Sequence, residues 1–314
     1  MADYYPEGEL DAVAADIAAF FAADPAWQAM PEQPVAETRA SIRAATPVSG
    51  EPEMASVVEH AIPVAGGEIA LRNYVPHGQP RALILWVHGG GFCLGSSDEV
   101  DDFCRALAAS SGAAVGSIEY RLAPEHKFPV AVEDVETAVL WACARVDVLA
   151  GADVPVVLGG DSAGANLAAV VTRRLHAAGA AKIAANVLAY PNVDHLDTPS
   201  LRRFESPFLG LRECEFFIGQ YLPDVDAGRD PDFAVLHAPG LERMPPTLVI
   251  TASHDILTEQ AEAYGEKLKD LGVDAQIKRY SGMIHGFLTL APFLPGAAGE
   301  AIRAIGGFVA ETAA

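Results

Sequence analysis

The chain has 314 residues, 51% hydrophobic and 20% charged, with 21 Lys and Arg against 42 Asp and Glu, a net charge of −21. That composition is globular and long enough for one α/β domain with a subdomain rather than two equal halves. So acidic a surface repels phosphate backbones and anionic lipid, which removes nucleic acid and membrane surfaces from the expected partners.

The first ten residues, MADYYPEGEL, lack the positive start and apolar core of a secretion signal. Leu10, Val13, Ala14, Ile17, Phe20 and Phe21 recur at helical spacing, and VAETRASIRAAT predicts a second helix after Pro34. Pro25, Pro31, Pro34, Pro47 and Pro52 punctuate this region, which reads as a helical appendage before the main domain. Ile62 and Val64, then Ile69 and Leu71, flank Gly66-Gly67 and predict a β-hairpin.

From there apolar runs alternate with amphipathic segments. ALILWVH, GAAVGSIEY, VPVVLGG, IAANVLAYP, PTLVITAS and AQIKRYS read as strands, with helices near 99–110, 130–145, 162–178, 258–271 and 298–311. Continuously apolar strands separated by helices imply an α/β fold with a mostly parallel sheet covered on both faces. Residues 195–238 break the rhythm with the helical-looking RRFESPFLGLRECEFFIGQYL and predict a lid or cap. The longest stretch without Asp, Glu, Lys or Arg, 280–299, holds Gly282, His285, Gly286, Pro292 and Pro295 and does not read as a membrane span. Cys93, Cys104, Cys143 and Cys214 show neither CxxC nor metal-ligand spacing; free thiols in a reducing cytoplasm are expected, with no metal and no cofactor.

The stretch LGGDSAGAN, 158–166, surrounds Ser162 with Gly159, Gly160, Ala163 and Gly164. It lies between a strand and a helix, where a sharp turn lifts a serine Oγ clear of the backbone at the carboxyl end of the sheet. Gly160 and Gly164 let strand and helix approach without a Cβ collision. A serine hydroxyl needs a base, and the oxyanion formed on attack needs fixed donors. HGGG, His88 to Gly91, directly follows the strand LILWV, and its bare backbone offers such donors. Gly90 and Gly91 are the expected pair, with the Ala163 N–H as the third.

Nine histidines compete for the role of base. In this elbow architecture the chain order is nucleophile, acid, histidine, which excludes His60, His77, His88 and His126. His176 is carried away on the helix that starts at the serine, His195 and His237 fall in or beside the insertion, and His254 directly precedes the expected acid. His285 remains, in the loop SGMIHGF. Asp255 ends the preceding strand and would hold the imidazole tautomer. It also suits a capping role for the helix near Thr258, and the two roles are compatible. Asp161 is expected to be a local anchor rather than the acid.

HGGGF, YRLAPEHKFP (Tyr120 to Pro129) and GDSAG, in this order, closely resemble the bacterial hormone-sensitive-lipase-like esterases within the α/β-hydrolases, from about residue 60 onward. The resemblance implies an α/β-hydrolase fold and a carboxylesterase with Ser162, Asp255 and His285 as triad. It implies oxyanion donors at Gly90, Gly91 and Ala163, no metal, and a helical cap made of residues 1–50 and the 195–238 insertion over a catalytic domain of 51–194 and 239–314. His88 and YRLAPEHKFP then read as loop supports. That family commonly carries Asp-Pro-Leu at its acid, where this chain reads Asp255-Ile256-Leu257 and keeps the carboxylate. The expected partner is a small-molecule ester with a short acyl chain. Phe204, Phe208, Phe216 and Phe217 are expected mostly in the cap core. Amides, thioesters or carbamates are alternative substrates of the same triad, and a non-catalytic receptor is the alternative from another class. No motif sets the oligomeric state; pairing through an edge strand or the final helix is the homodimer expectation.

Overall fold

The apolar runs are strands of one eight-stranded sheet with spatial order β1-β2-β4-β3-β5-β6-β7-β8. The computed structural model describes residues 9–23, 33–46, 48–194, 201, 206, 208–290 and 295–312. Of the expected insertion, 195–200, 202–205 and 207 lie outside the described residues, His195 and Phe204 among them. β1 (Ser56–Val64) and β2 (Gly67–Val75) form the predicted hairpin. β2 pairs antiparallel with β4 (Ala114–Glu119), and every further pairing is parallel, through β3 (Leu83–Val87), β5 (Val156–Asp161), β6 (Ala185–Ala189), β7 (Thr247–His254) and β8 (Ala275–Ile284). The architecture is the expected mostly parallel α/β-hydrolase sheet.

Every residue of β3, β5, β6 and β7 is buried, which is why these segments read as unbroken apolar runs rather than alternating ones. The period of two still sorts their side chains between two layers. Leu83, Leu85 and Val87 join Val132 and Val135 of α4 (Val130–Cys143) and Leu167 and Val171 of α6 (Ala163–Ala178). Ile84 and Trp86 join Phe103 and Leu107 of α3 (Asp101–Ser111) and Ile302 and Ile305 of α9 (Pro295–Thr312). Among the described residues, further α-helices are α1 (Ala12–Ala23), α2 (Val35–Ala45), α5 (Val146–Ala150), α7 (Leu211–Tyr221) and α8 (Thr258–Asp270). α5 was not expected, because five residues are too few to show a helical period. The turn from β5 into α6 also differs by one residue: α6 begins at Ala163, with Ser162 left outside the helix.

Two irregularities bring distant segments to the carboxyl ends of the strands. β8 runs to Ile284, past the expected 281, because its register against β7 shifts between Ala252 and His254. Gly282 takes φ 77° there and donates its N–H to Ser253 Oγ at 2.8 Å. Such a bulge bends a strand and re-aims the residues beyond it, here His285. Asp11 caps α1, its Oδ1 accepting from the Val13 N–H at 2.9 Å, and its own N–H donates to the Gly282 carbonyl at 3.0 Å, docking α1 on the same bulge.

The segment after β4 is held by a buried carboxylate. Asp134 of α4, with 1% of its side chain exposed, accepts from Arg121 through the backbone N–H at 3.1 Å, Nε at 2.8 Å and Nη2 at 2.6 Å. Removing one partner of such a pair strands the other, and with Arg121 18% exposed the cost is about 2 kcal/mol. Asp134→Ala should therefore lower the free energy of unfolding in urea by that amount, and an unchanged midpoint would show the pair to be dispensable.

Candidate active site

β5 delivers Ser162 at φ 53°, ψ −119°, a conformation that bulky L-residues avoid and that places the side chain on the outside of the turn. The turn is fixed on both sides: the Ser162 N–H donates to the Ala189 carbonyl at 2.9 Å, and the Ser162 carbonyl accepts from Asn166 at 3.1 Å. A Cβ on Gly160 would lie 2.6 Å from the Gly164 and Val87 carbonyl oxygens. One on Gly164 would collide with the Val87 and His88 carbonyls. These are backbone atoms, so no side chain can move aside, and both positions require glycine.

The glycine loop after β3 is a compact turn. Gly90, Gly91 and Phe92 take φ 109°, 59° and 63°, and the Gly90 carbonyl accepts from Cys93 at 3.0 Å and Leu94 at 2.8 Å. A Cβ on Gly91 would overlap the ring of Phe217 from α7. Among the described residues, no backbone carbonyl accepts from the N–H of Gly90, Gly91 or Ala163. Ala163 opens α6, where the first N–H groups have no intrahelical acceptor. These three donors border one cavity together with Ser162.

His88 and Asp161 hold this loop. The His88 Nδ1–H donates to the Gly89 carbonyl at 2.8 Å, its ring stacks on Tyr120 at 4.5 Å, and its carbonyl accepts from the Tyr120 hydroxyl at 3.1 Å. Asp161 accepts from Trp86 Nε1 at 3.0 Å and from the Gly89 backbone, as the expected anchor. Burial pushes its carboxyl above the usual carboxylate range, while the Trp86 hydrogen bond pulls the other way.

The structure brings the three remaining expected residues together. Asp255, fully buried, follows β7 directly. Its Oδ1 accepts from the Leu257 N–H at 2.9 Å, and its Oδ2 lies 2.7 Å from His285 Nδ1. The expected capping role is not seen, since α8 starts after Leu257 with no side-chain cap bond; one Asp255 oxygen instead closes a local turn while the other faces the histidine. His285 Nε2 lies 2.9 Å from Ser162 Oγ. With Nδ1–H donated to a carboxylate, Nε2 presents its lone pair to the serine hydroxyl, which donates. Tyr190 packs its ring 4.8 Å from the imidazole. His176 is engaged elsewhere, with the Arg243 carbonyl at 2.9 Å and the Ile183 N–H at 3.2 Å, and His237 with Asp194 at 2.8 Å.

The cavity over Ser162 has a volume of about 780 Å³, within the range usual for small-molecule sites. Phe208, Phe217 and Ile218 line one side, and Val13, Ile17 and Ile42 of α1 and α2 another. Phe208 and Phe217 line the cavity and pack in or against the core at once, whereas Phe216 packs against the core without lining the cavity. Sequence reading missed Tyr190, Asn192 and Cys214 as cavity residues. Cys214 carried no motif, and burial keeps its thiol neutral by raising its pKa well above the ordinary value. Among the described residues no cluster of three His, Cys, Asp or Glu is arranged to hold a metal, and no helix is long and apolar enough to cross a membrane.

Residues 84–289 match the alpha/beta hydrolase fold family. The carboxylic ester hydrolase LipN of Mycobacterium tuberculosis is 36% identical over 267 residues, 82% of this chain and 71% of its own. The arylesterase of Saccharolobus solfataricus is 32% identical, covering 83% of this chain and 80% of its own. Among solved structures, a hyperthermophilic esterase from the archaeon Pyrobaculum calidifontis superposes with a TM-score of 0.91 at 34% identity, over 98% of this chain and 100% of its own. The chain belongs to the α/β-hydrolase family, in its hormone-sensitive-lipase-like branch of carboxylic ester hydrolases.

Proposed function

We propose that the protein hydrolyses small carboxylic esters with short acyl chains through an acyl-enzyme on Ser162. The observation that carries this reading is the continuous chain from the Asp255 carboxylate through His285 to the Ser162 hydroxyl, with links of 2.7 and 2.9 Å. Ser162 Oγ attacks the ester carbonyl carbon as its proton passes to His285 Nε2. The carbonyl oxygen takes the negative charge beside the N–H groups of Gly90, Gly91 and Ala163. The carbon–oxygen bond to the alcohol then breaks, and the imidazolium returns its proton to the departing oxygen. Water repeats the sequence: it gives a proton to Nε2, its oxygen joins the acyl carbon, and the collapse breaks the bond to Ser162 Oγ, which takes the proton back from the imidazolium as the carboxylic acid leaves. Asp255 stabilises the imidazolium in both halves.

Residues 1–50 and 195–238 act as the cap over the catalytic domain of 51–194 and 239–314. Support comes from α1, α2 and α7, which all contribute walls to the cavity. A cavity walled by helices favours a small soluble ester over a lipid surface. All four thiols are free, which fits a reducing cytoplasm.

A fluorophosphonate should label Ser162, as read by peptide mass spectrometry, and Ser162→Ala should abolish both labelling and chromogenic ester hydrolysis. Activity surviving in that variant would assign the chemistry to another residue. Across p-nitrophenyl esters of increasing acyl length, turnover should peak at short chains, and faster cleavage of long triacylglycerols than of butyrates would refute the size limit.

A further inference from the structure

A guanidinium from α2 grips the glycine loop. Arg39 Nε donates to the Cys93 carbonyl at 2.6 Å, and Nη2 donates to the Ala123 carbonyl at 2.6 Å. Nη1 and Nη2 also form a bidentate pair with Glu125, 2.9 Å on each oxygen, which holds that carboxyl below the usual carboxylate range. The Ala123 N–H in turn donates to the Phe92 carbonyl at 2.9 Å, so the same cation ties together both loops beside the site.

The Cys93 carbonyl is two peptide planes from an oxyanion donor. Because each peptide is planar and trans, its C=O and the following N–H point in opposite directions. Fixing the Cys93 carbonyl fixes the Leu94 N–H, which donates to the Gly90 carbonyl at 2.8 Å. Fixing the Gly90 carbonyl fixes the Gly91 N–H on the opposite side of that plane. The loop takes positive φ at three consecutive residues, a path that local preference does not favour, so external ties set its orientation.

On the reading of Ser162 as an acylated nucleophile, we infer that Arg39 is a positioning residue: through the Cys93–Leu94 and Gly90–Gly91 peptides it aims the Gly91 N–H at the oxyanion. Its seat on α2, whose Ser41 and Ile42 line the cavity, makes oxyanion geometry depend on how α2 is seated. A lysine cannot replace it, because one ammonium lacks the planar fork that reaches two carbonyls and a carboxylate at once.

The test compares Arg39→Gln with Glu125→Gln in steady-state kinetics on p-nitrophenyl butyrate, alongside inhibition by an alkyl trifluoromethyl ketone that forms a hemiketal oxyanion with the serine. Losing an oxyanion donor outright costs about 10²–10³ in kcat, and misaiming one should cost about tenfold. R39Q should lose about tenfold in kcat with KM little changed, and the ketone should weaken by the same factor as kcat/KM. E125Q keeps an oxygen acceptor for Arg39 and leaves its grip on Cys93, so kcat should stay near wild type. Full kcat in R39Q, equal losses in R39Q and E125Q, or a loss confined to KM would each overturn the role. Should R39Q not fold, R39K carries the test: its ammonium can keep Glu125 and seat α2, kcat should still fall several-fold, and full kcat overturns the proposal. A wild-type chain without Ser162-dependent turnover would remove the esterase reading itself, a result distinct from all of these.

Discussion

An imidazole held between a buried carboxylate and a half-buried hydroxyl is the contact on which the rest of this molecule depends. Its three residues come from the ends of β5, β7 and β8, 123 positions apart at the widest. Nothing local brings them together. The parallel order of the sheet does, by placing successive strand ends at one rim, and the bulge between β7 and β8 completes it by turning His285 back toward Asp255.

Around that contact the backbone is packed to the limit that glycine allows. Gly160 and Gly164 bring β3, β5 and α6 within carbonyl distance of one another, and Gly91 lets Phe217 rest on the glycine loop. Among the described residues the N–H groups of Gly90, Gly91 and Ala163 have no backbone acceptor, and they lie beside the strained Ser162. Under the proposed acyl transfer, these N–H groups would be donors already aimed before charge develops. Two helices reach the same loop: α7 places Phe217 against Gly91, and α2 places Arg39 on the Cys93 carbonyl.

The sheet and the candidate site were legible in the sequence because their signals are local and periodic. Continuous apolar runs reported the buried parallel strands, and the small residues around Ser162 and after His88 reported sites where a Cβ would collide. Asp255 and His285 were reached by chain order and by their place after a strand. What stayed hidden depends on tertiary contact. Tyr190 and Cys214 reach the cavity by packing, and no spacing rule marks them. No sequence signal marks Arg39, since its acceptors are backbone carbonyls 54 and 84 residues away. β8 outran its apolar pattern because a register shift, which composition does not encode, carried it three residues further.

The most direct test of the shared imidazole is the kinetics of Ser162→Ala, His285→Ala and the double variant on one chromogenic ester. Residues that act as a unit lose their effect together, so the three proteins should fall to one common residual rate. Losses that multiply in the double variant would mean that serine and histidine work independently, and would contradict the arrangement.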